Sequence, residues 1–258
     1  MNRSTPIHRS DHIPAAAVAY AQYPLWKRIV RLRARDVPRV ARKLRDLLVR
    51  DEFGDLYDAV RPYTMLNHSR AHSLYEGVRQ VVARDIPGDI VECGVARGGS
   101  AALMALALRD QKQNARSRKI FAFDTFAGLP PPTIDDPDYE LARHWTGKCR
   151  GDEAEVRALF HELGVADITE CIKGTFRETL PRWESGPIAL LHLDGDWYES
   201  IRVCLEQLWD RVSPGGIVQV DDYGAWAGAR KAVDEFIATR KIAAPLKYID
   251  PTGRQLIK

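Results

Sequence analysis

The chain has 258 residues, 45% of them hydrophobic and 28% charged, which suits a globular α/β domain with appended segments and excludes a disordered or fibrous protein. Its four cysteines, Cys93, Cys149, Cys171 and Cys204, form no closely spaced pair, so neither a zinc knuckle nor a disulfide framework is indicated and a reducing cytoplasm is the expected location. No apolar run approaches the roughly 20 residues of a membrane span, and residues 1–20 are too polar for a signal peptide, so neither a membrane partner nor export is expected.

The net charge of +3 is unevenly spread, since residues 1–50 carry twelve Lys/Arg against three Asp/Glu. A basic segment invites a nucleic-acid reading. Here, however, Leu25, Ile29, Val30, Leu32, Val37, Val40, Leu44, Leu47 and Leu48 recur among the arginines at roughly helical spacing. The basic residues are therefore read as the solvated face of an amphipathic helix, and no nucleic-acid partner is expected. The apolar stripe needs burial, which makes a homo-oligomer, a dimer or larger, the expectation. Residues 15–85 read as mostly helical, broken at Pro62-Tyr63, with a helix over 75–83 leading into the first strand. The organisation expected is a helical cap at 1–85 followed by one domain at 86–258.

From residue 89 onward, short runs of β-forming residues alternate with helical segments, the pattern of βα units closing on a parallel sheet. Strands are predicted at 89–94, 119–124, 169–173, 188–194 and 215–221. Helices are predicted at 99–109, 152–163, 198–211 and 227–239. The tail, with apolar residues at 246–249 and 255–257 around Pro251-Thr252-Gly253, reads as a closing hairpin. The stretch 126–150, rich in proline and acids, is too long for a simple connection and is expected to be a lid or a mobile linker.

Three constellations carry chemistry. The first is the turn Glu92-Cys93-Gly94-Val95-Ala96-Arg97-Gly98-Gly99-Ser100, where glycines let the backbone approach a ligand and a helix N-terminus offers free N–H groups. It matches neither the GxGxxG nor the P-loop pattern, and a ligand-free tight turn is the plain alternative. The second is Asp124 at the end of the next strand, about 30 residues on, where an α/β nucleotide fold places a carboxylate for ribose hydroxyls. Together they favour an adenosine-containing cofactor and leave NAD open. The third is the pair of strand ends Leu193-Asp194-Gly195-Asp196 and Val220-Asp221-Asp222-Tyr223. Four carboxylates at adjacent strand ends repel one another, and a divalent cation resolves the conflict. An all-oxygen set without His or Cys suits Mg²⁺, Mn²⁺ or Ca²⁺. Taken singly, each acid could instead serve as a turn or cap residue.

At these residues the sequence resembles the macrocin O-methyltransferase (TylF/MycF-like) family. The resemblance runs from about Tyr63 to the C-terminus. It rests on Tyr63-Thr64-Met65, Ile86-Pro87-Gly88-Asp89-Ile90-Val91-Glu92-Cys93-Gly94-Val95, Phe123-Asp124-Thr125-Phe126-Ala127-Gly128-Leu129-Pro130 and Leu193-Asp194-Gly195-Asp196-Trp197-Tyr198-Glu199-Ser200, followed by Asp221-Asp222-Tyr223-Gly224. It implies a class I methyltransferase fold, a seven-stranded Rossmann-like sheet with an antiparallel C-terminal hairpin. It implies S-adenosylmethionine and Mg²⁺ (or another divalent cation such as Mn²⁺) as cofactors, and methylation of a deoxysugar hydroxyl on a glycosylated natural product in antibiotic biosynthesis. Carried over motif by motif, Glu92, Gly94, Gly98 and Ser100 would surround the methionine part, with Met65 beside it. Asp124 would hold the ribose, and Gly174, Thr175 and Phe176 would wall the adenine. Asp194, Asp221 and Asp222 would bind the metal, and Asp196 would act as base.

Two positions depart from the family pattern. His192 stands where relatives usually carry Arg, and 66–73 lacks an expected Glu-Arg pair. His192 is read as a satisfied strand-end residue, and His68 and His72, without a carboxylate partner in sequence, are not read as a second metal site. Rival readings of the whole are methylation of a catechol-type phenol and, more distantly, a nucleotide-sugar- or NAD-dependent enzyme.

Overall fold

A computed structural model describes residues 52–111, 118–184 and 186–258. The apolar stripe predicted between Leu25 and Leu48, and the oligomer contact assigned to it, lie outside these residues. The described chain opens with helices α1 (Glu52–Val60) and α2 (His68–Ala83), followed by β1 (Asp89–Cys93), α3 (Gly99–Asp110) and β2 (Ile120–Asp124). The segment after β2 carries the short helix α4 (Tyr139–Ala142), and α5 (Glu153–Glu162) and β3 (Thr169–Lys173) come next. The remainder is α6 (Phe176–Thr179), β4 (Ile188–Leu193), α7 (Tyr198–Leu208), β5 (Val212–Val220), α8 (Ala227–Arg240), β6 (Lys247–Tyr248) and β7 (Arg254–Ile257).

The seven strands form one sheet in the order β3-β2-β1-β4-β5-β7-β6. Strands β1 to β5 are parallel, and β7 runs antiparallel to both β5 and β6. This is the expected α/β sheet with its reversed C-terminal hairpin. Side chains alternate between its faces as the strand period requires. Ile90, Ile120, Ala122, Leu190 and Ile217 pack with Leu74, Val78, Leu103 and Met104 on one face. Val91, Cys93, Phe121, Phe123, Leu191, Leu193, Val218 and Val220 pack with Ile201, Leu205, Ala229 and Val233 on the other. Among the described residues no helix is long and apolar enough to cross a membrane.

Two local departures from the sequence reading have physical causes. Helix α2 starts at His68, not near 75, because Asn67 caps it: the Asn67 side chain accepts from the N–H groups of Ser69 (3.0 Å) and Arg70 (3.1 Å). Strand β5 starts at Val212, not 215, since Val212 already pairs with Ile188 and a register shift before Leu190 absorbs the Pro214-Gly215-Gly216 interruption.

Residues 52–83, assigned to the cap by sequence, pack through α2 on α3, β4 and β5. A Cβ on Gly77 of α2 would stand 2.8 Å from Leu190 Cδ1, so glycine lets the helix approach β4 closely. The face under α2 also holds a polar row. The register sets Glu92 beside His192, His192 beside Gln219 and Gln219 beside Gln255, and all four are buried. Gln219 Nε2 donates to the Arg70 carbonyl at 3.3 Å, and Gln255 Nε2 donates to Ser73 Oγ at 3.2 Å, which ties α2 to the strands.

Candidate active site

The carboxyl ends of β1, β4 and β5 are stitched together by two backbone bonds. Asp194 N–H donates to the Cys93 carbonyl at 2.8 Å, and Asp221 N–H donates to the Leu193 carbonyl at 2.9 Å. Those bonds bring the strand-end acids together. One oxygen each of Asp194, Asp221 and Asp222 lies within 4.8 Å of the others. Asp196 stands beside them in the left-handed region (φ 59°), where its N–H donates to Asp222 Oδ2 at 3.3 Å. Burial and the neighbouring carboxylates push Asp194 and Asp196 well above the usual carboxylate range, and burial together with Asp221 pushes Asp222 up to about 6. Asp221 Oδ1 is buried without a hydrogen-bond partner among the described residues. Three convergent carboxylates, one with an orphaned buried oxygen, form a donor set that fits a hard divalent cation.

A feature that sequence reasoning missed is the cation that reaches this cluster from α2. The guanidinium of Arg70 hydrogen-bonds Asp221 Oδ2, and its Nε lies 3.3 Å from Asp250 Oδ2. Burial acts to lower the Arg70 pKa, but Asp221, Asp194 and Asp250 outweigh it and the pKa is raised. Asp250 is itself held by Asn67 Nδ2 at 2.6 Å and by the N–H of Gly253 at 2.6 Å. Arg70 lies 151 residues before Asp221, so no local pattern signals the contact.

A cavity of about 290 Å³ opens beside the acids. Of the residues expected around the cofactor, Met65, Gly94, Asp124, Thr175 and Phe176 line it, together with Asp194 and Asp196. Glu92, Gly98, Ser100 and Gly174 are not part of that lining, nor are Asp221 and Asp222. Asp124 folds the first turn: its Oδ2 accepts from the N–H groups of Val95 (2.7 Å) and Ala96 (2.9 Å), and its Oδ1 from Phe126 N–H at 2.7 Å. Three donors leave part of the carboxylate's accepting capacity for a ligand hydroxyl. Gly94 has φ 98°, and a Cβ there would fall 1.8 Å from the Asp194 carbonyl oxygen, so glycine is required where β1 and β4 meet. Thr175 caps α6 through a reciprocal capping box with Glu178.

The segment 126–150 forms one wall of the cavity through Gly128, Leu129, Pro130, Pro131, Thr133 and Cys149. Its base is closed by pairing of Leu129 with Gly147 and Lys148. Its acids are anchored at two helix N-termini: Asp136 Oδ1 accepts from Tyr198 N–H of α7 at 2.7 Å, and Asp138 Oδ2 accepts from Ala227 N–H of α8 at 2.9 Å. Trp197 Nε1–H donates to the Pro130 carbonyl at 2.7 Å. Burial and the nearby Asp196 and Asp222 push the Cys149 thiol up to about 12.

On the α2 face, His192 Nδ1 is 2.8 Å from Glu92 Oε1, and its Nε2 is 3.8 Å from Asp221 Oδ1. Burial acts to lower the His192 pKa, but the neighbouring Asp221 and Glu92 carboxylates prevail and raise it to about 9. His68 and His72 stack on each other, ring centroids 6.1 Å apart, and both meet the Phe53 ring edge-on.

With this geometry, the chain can be compared with known proteins. The sequence model of the Macrocin-O-methyltransferase (TylF) family matches residues 27–256. The 8-demethyl-8-(2,3-dimethoxy-alpha-L-rhamnosyl)-tetracenomycin-C 4'-O-methyltransferase of Streptomyces olivaceus is 38% identical over 196 residues, 74% of each chain. Demethyldecarbamoylnovobiocin O-methyltransferase of Streptomyces niveus is 36% identical over 195 residues, again 74% of each. The solved structure of the O-methyltransferase NovP superposes with a TM-score of 0.71 at 34% identity, covering 76% of this chain and 82% of that one. The chain belongs to the macrocin O-methyltransferase (TylF) family, and it is an S-adenosylmethionine-dependent O-methyltransferase with the class I fold.

Proposed function

We propose that this enzyme methylates a hydroxyl of a deoxysugar carried by a natural product, with a divalent cation, Mg²⁺ or Mn²⁺, held by Asp194, Asp221 and Asp222 and with Asp196 as the base. The observation that carries the reading is the convergence of those three carboxylates beside the cavity, with Asp196 on the same strand-end turn. The acceptor class follows the relatives, whose names place them on a rhamnosylated tetracenomycin and on a novobiocin precursor.

A sugar hydroxyl is a poor nucleophile with a pKa of roughly 16, and a bound divalent cation supplies the acidification that such a group needs. S-adenosylmethionine supplies the activated methyl group. The remaining work falls to the chain. Asp196, held on its turn, takes the hydroxyl proton at a carboxylate oxygen. Asp124 accepts from cofactor hydroxyls with the capacity its backbone donors leave free, and Phe176 offers an aromatic wall. The segment 126–150 covers the cavity and excludes water, so that donor and acceptor meet in fixed alignment.

The test is a mass-spectrometric screen for gain of one methyl group, offering glycosylated natural products and catechols with S-adenosylmethionine and Mg²⁺. Methylation of a deoxysugar, lost in Asp221→Ala and in chelator while S-adenosylhomocysteine still binds, is the expected result. Full turnover by Asp221→Ala in chelator would sink the metal assignment, and methylation of catechols alone would replace the acceptor class.

A further inference from the structure

The parallel register of β1 and β4 sets Glu92 beside His192 on the face of the sheet that α2 covers. His192 Nδ1 and Glu92 Oε1 are 2.8 Å apart, and neither side chain has any exposed surface. Burying two ionisable groups costs desolvation that their mutual attraction seldom offsets by much, so packing alone is a poor reason for the pair. The other ring nitrogen supplies a better one. His192 Nε2 faces Asp221 Oδ1 at 3.8 Å, and both atoms are buried without a hydrogen-bond partner among the described residues. The opposite oxygen of Asp221 is taken by Arg70, whose carbonyl is in turn held by Gln219, the next member of the buried row. Asp221 is therefore approached on both oxygens from the α2 side, and its remaining accepting capacity is left toward Asp194 and Asp222.

We propose that Glu92 and His192 are positioning residues for a cation site: Glu92 fixes the His192 ring, and His192 holds the Asp221 carboxylate in the orientation that meets Asp194 and Asp222. The assignment rests on the reading of the acidic trio as a divalent-cation site. It gives Glu92 a place behind a metal ligand, in keeping with its absence from the cavity wall. Carboxylate ligands of metals are commonly steadied by such hydrogen-bonded neighbours.

The experiment is calorimetric titration of the full chain, stripped with chelator, with Mn²⁺ alone and separately with S-adenosylhomocysteine. The informative variant is the double replacement Glu92→Met with His192→Leu, because removing both partners of the buried pair leaves neither of those two groups unpaired and is close to neutral for the fold. Mn²⁺ affinity is expected to fall about 10- to 100-fold, with S-adenosylhomocysteine affinity and thermal midpoint unchanged. His192→Gln, whose amide N–H still reaches Asp221, should stay within a few-fold of wild type. If the double variant unfolds, Glu92→Gln answers in its place, with weaker Mn²⁺ binding and unaltered S-adenosylhomocysteine binding expected. Wild-type Mn²⁺ affinity in the folded double variant would reduce the pair to packing, and loss of S-adenosylhomocysteine binding in Glu92→Gln would return Glu92 to the cofactor. If wild type takes up no Mn²⁺, or Asp221→Ala binds it equally well, the cation reading fails and takes this assignment with it.

Discussion

Trp226 donates its indole N–H to Oδ1 of Asp196 at 2.8 Å, so the proposed base is held by a residue that stands at the start of α8. The ring is packed edge-on by Trp197 at 4.8 Å and by Trp145 of the 126–150 segment at 6.0 Å, which ties the covering segment to the base. Trp226→Phe keeps the packing and removes the donor. A fall in kcat of about 10-fold or more is expected, with the S-adenosylhomocysteine Kd unchanged. Steady-state kinetics with an acceptor found by the screen would measure it, and an unchanged kcat would show that Asp196 does not need this bond.

The strand-end acids make cation binding depend on pH in a defined direction. Asp222 is pushed up to about 6, and Asp194 and Asp196 are also raised well above the usual carboxylate range, so the fold favours their neutral forms and ionising them costs stability as pH rises. A cation binds the ionised forms and reverses that loss. The rise in thermal midpoint on adding Mn²⁺ should therefore be small at about pH 5.5 and several degrees larger at about pH 7.5. Equal stabilisation at both would place the cation elsewhere.

Gly94 is the residue least open to replacement in the cofactor turn. Gly94→Ala sets a methyl group against the Asp194 carbonyl at a φ of 98°, and the backbone must move to relieve both strains. Destabilisation of about 3 kcal/mol in urea unfolding is expected, together with loss of S-adenosylhomocysteine binding.

Asp136 pins the covering segment. Its side chain is tucked against Gly228, where a Cβ would meet Oδ1 at 2.0 Å, and it accepts from Tyr198 N–H and from Thr133 N–H at 2.8 Å. Asp136→Ala removes the acceptor at the start of α7 and should cost about 1–2 kcal/mol. Limited proteolysis should then cut within 126–150 faster than in wild type. Unaltered cleavage would mean that Asp138 and Pro130 suffice as anchors.

Much of the fold was legible in local pattern. The alternation of short β-forming runs with helical segments located β1 to β5 and the longer helices α3, α5, α7 and α8 to within a few residues, and the Pro251-Thr252-Gly253 turn marked the reversed hairpin. The four-residue helices α4 and α6 left no periodicity to read. Asp124 and the acids after β4 and β5 stood out because a carboxylate directly following an apolar strand lies at the sheet's carboxyl edge, where α/β folds collect their ligands.

Sequence by itself therefore determined the fold class, the family and the set of acids at the strand ends, because these depend on periodicity and on motifs read over a few neighbouring residues. Only the tertiary structure decided the company each acid keeps. Glu92, read as part of the cofactor turn, does not line the cavity and pairs with His192, because the pairing of β1 with β4 fixes which face of the sheet each residue occupies. Arg70 and Asp221 are 151 residues apart in sequence, as Trp226 and Asp196 are 30 apart, and no local pattern records that they meet. Strand register and the packing of α2 and α8 bring them together, and those depend on contacts summed over the whole sheet.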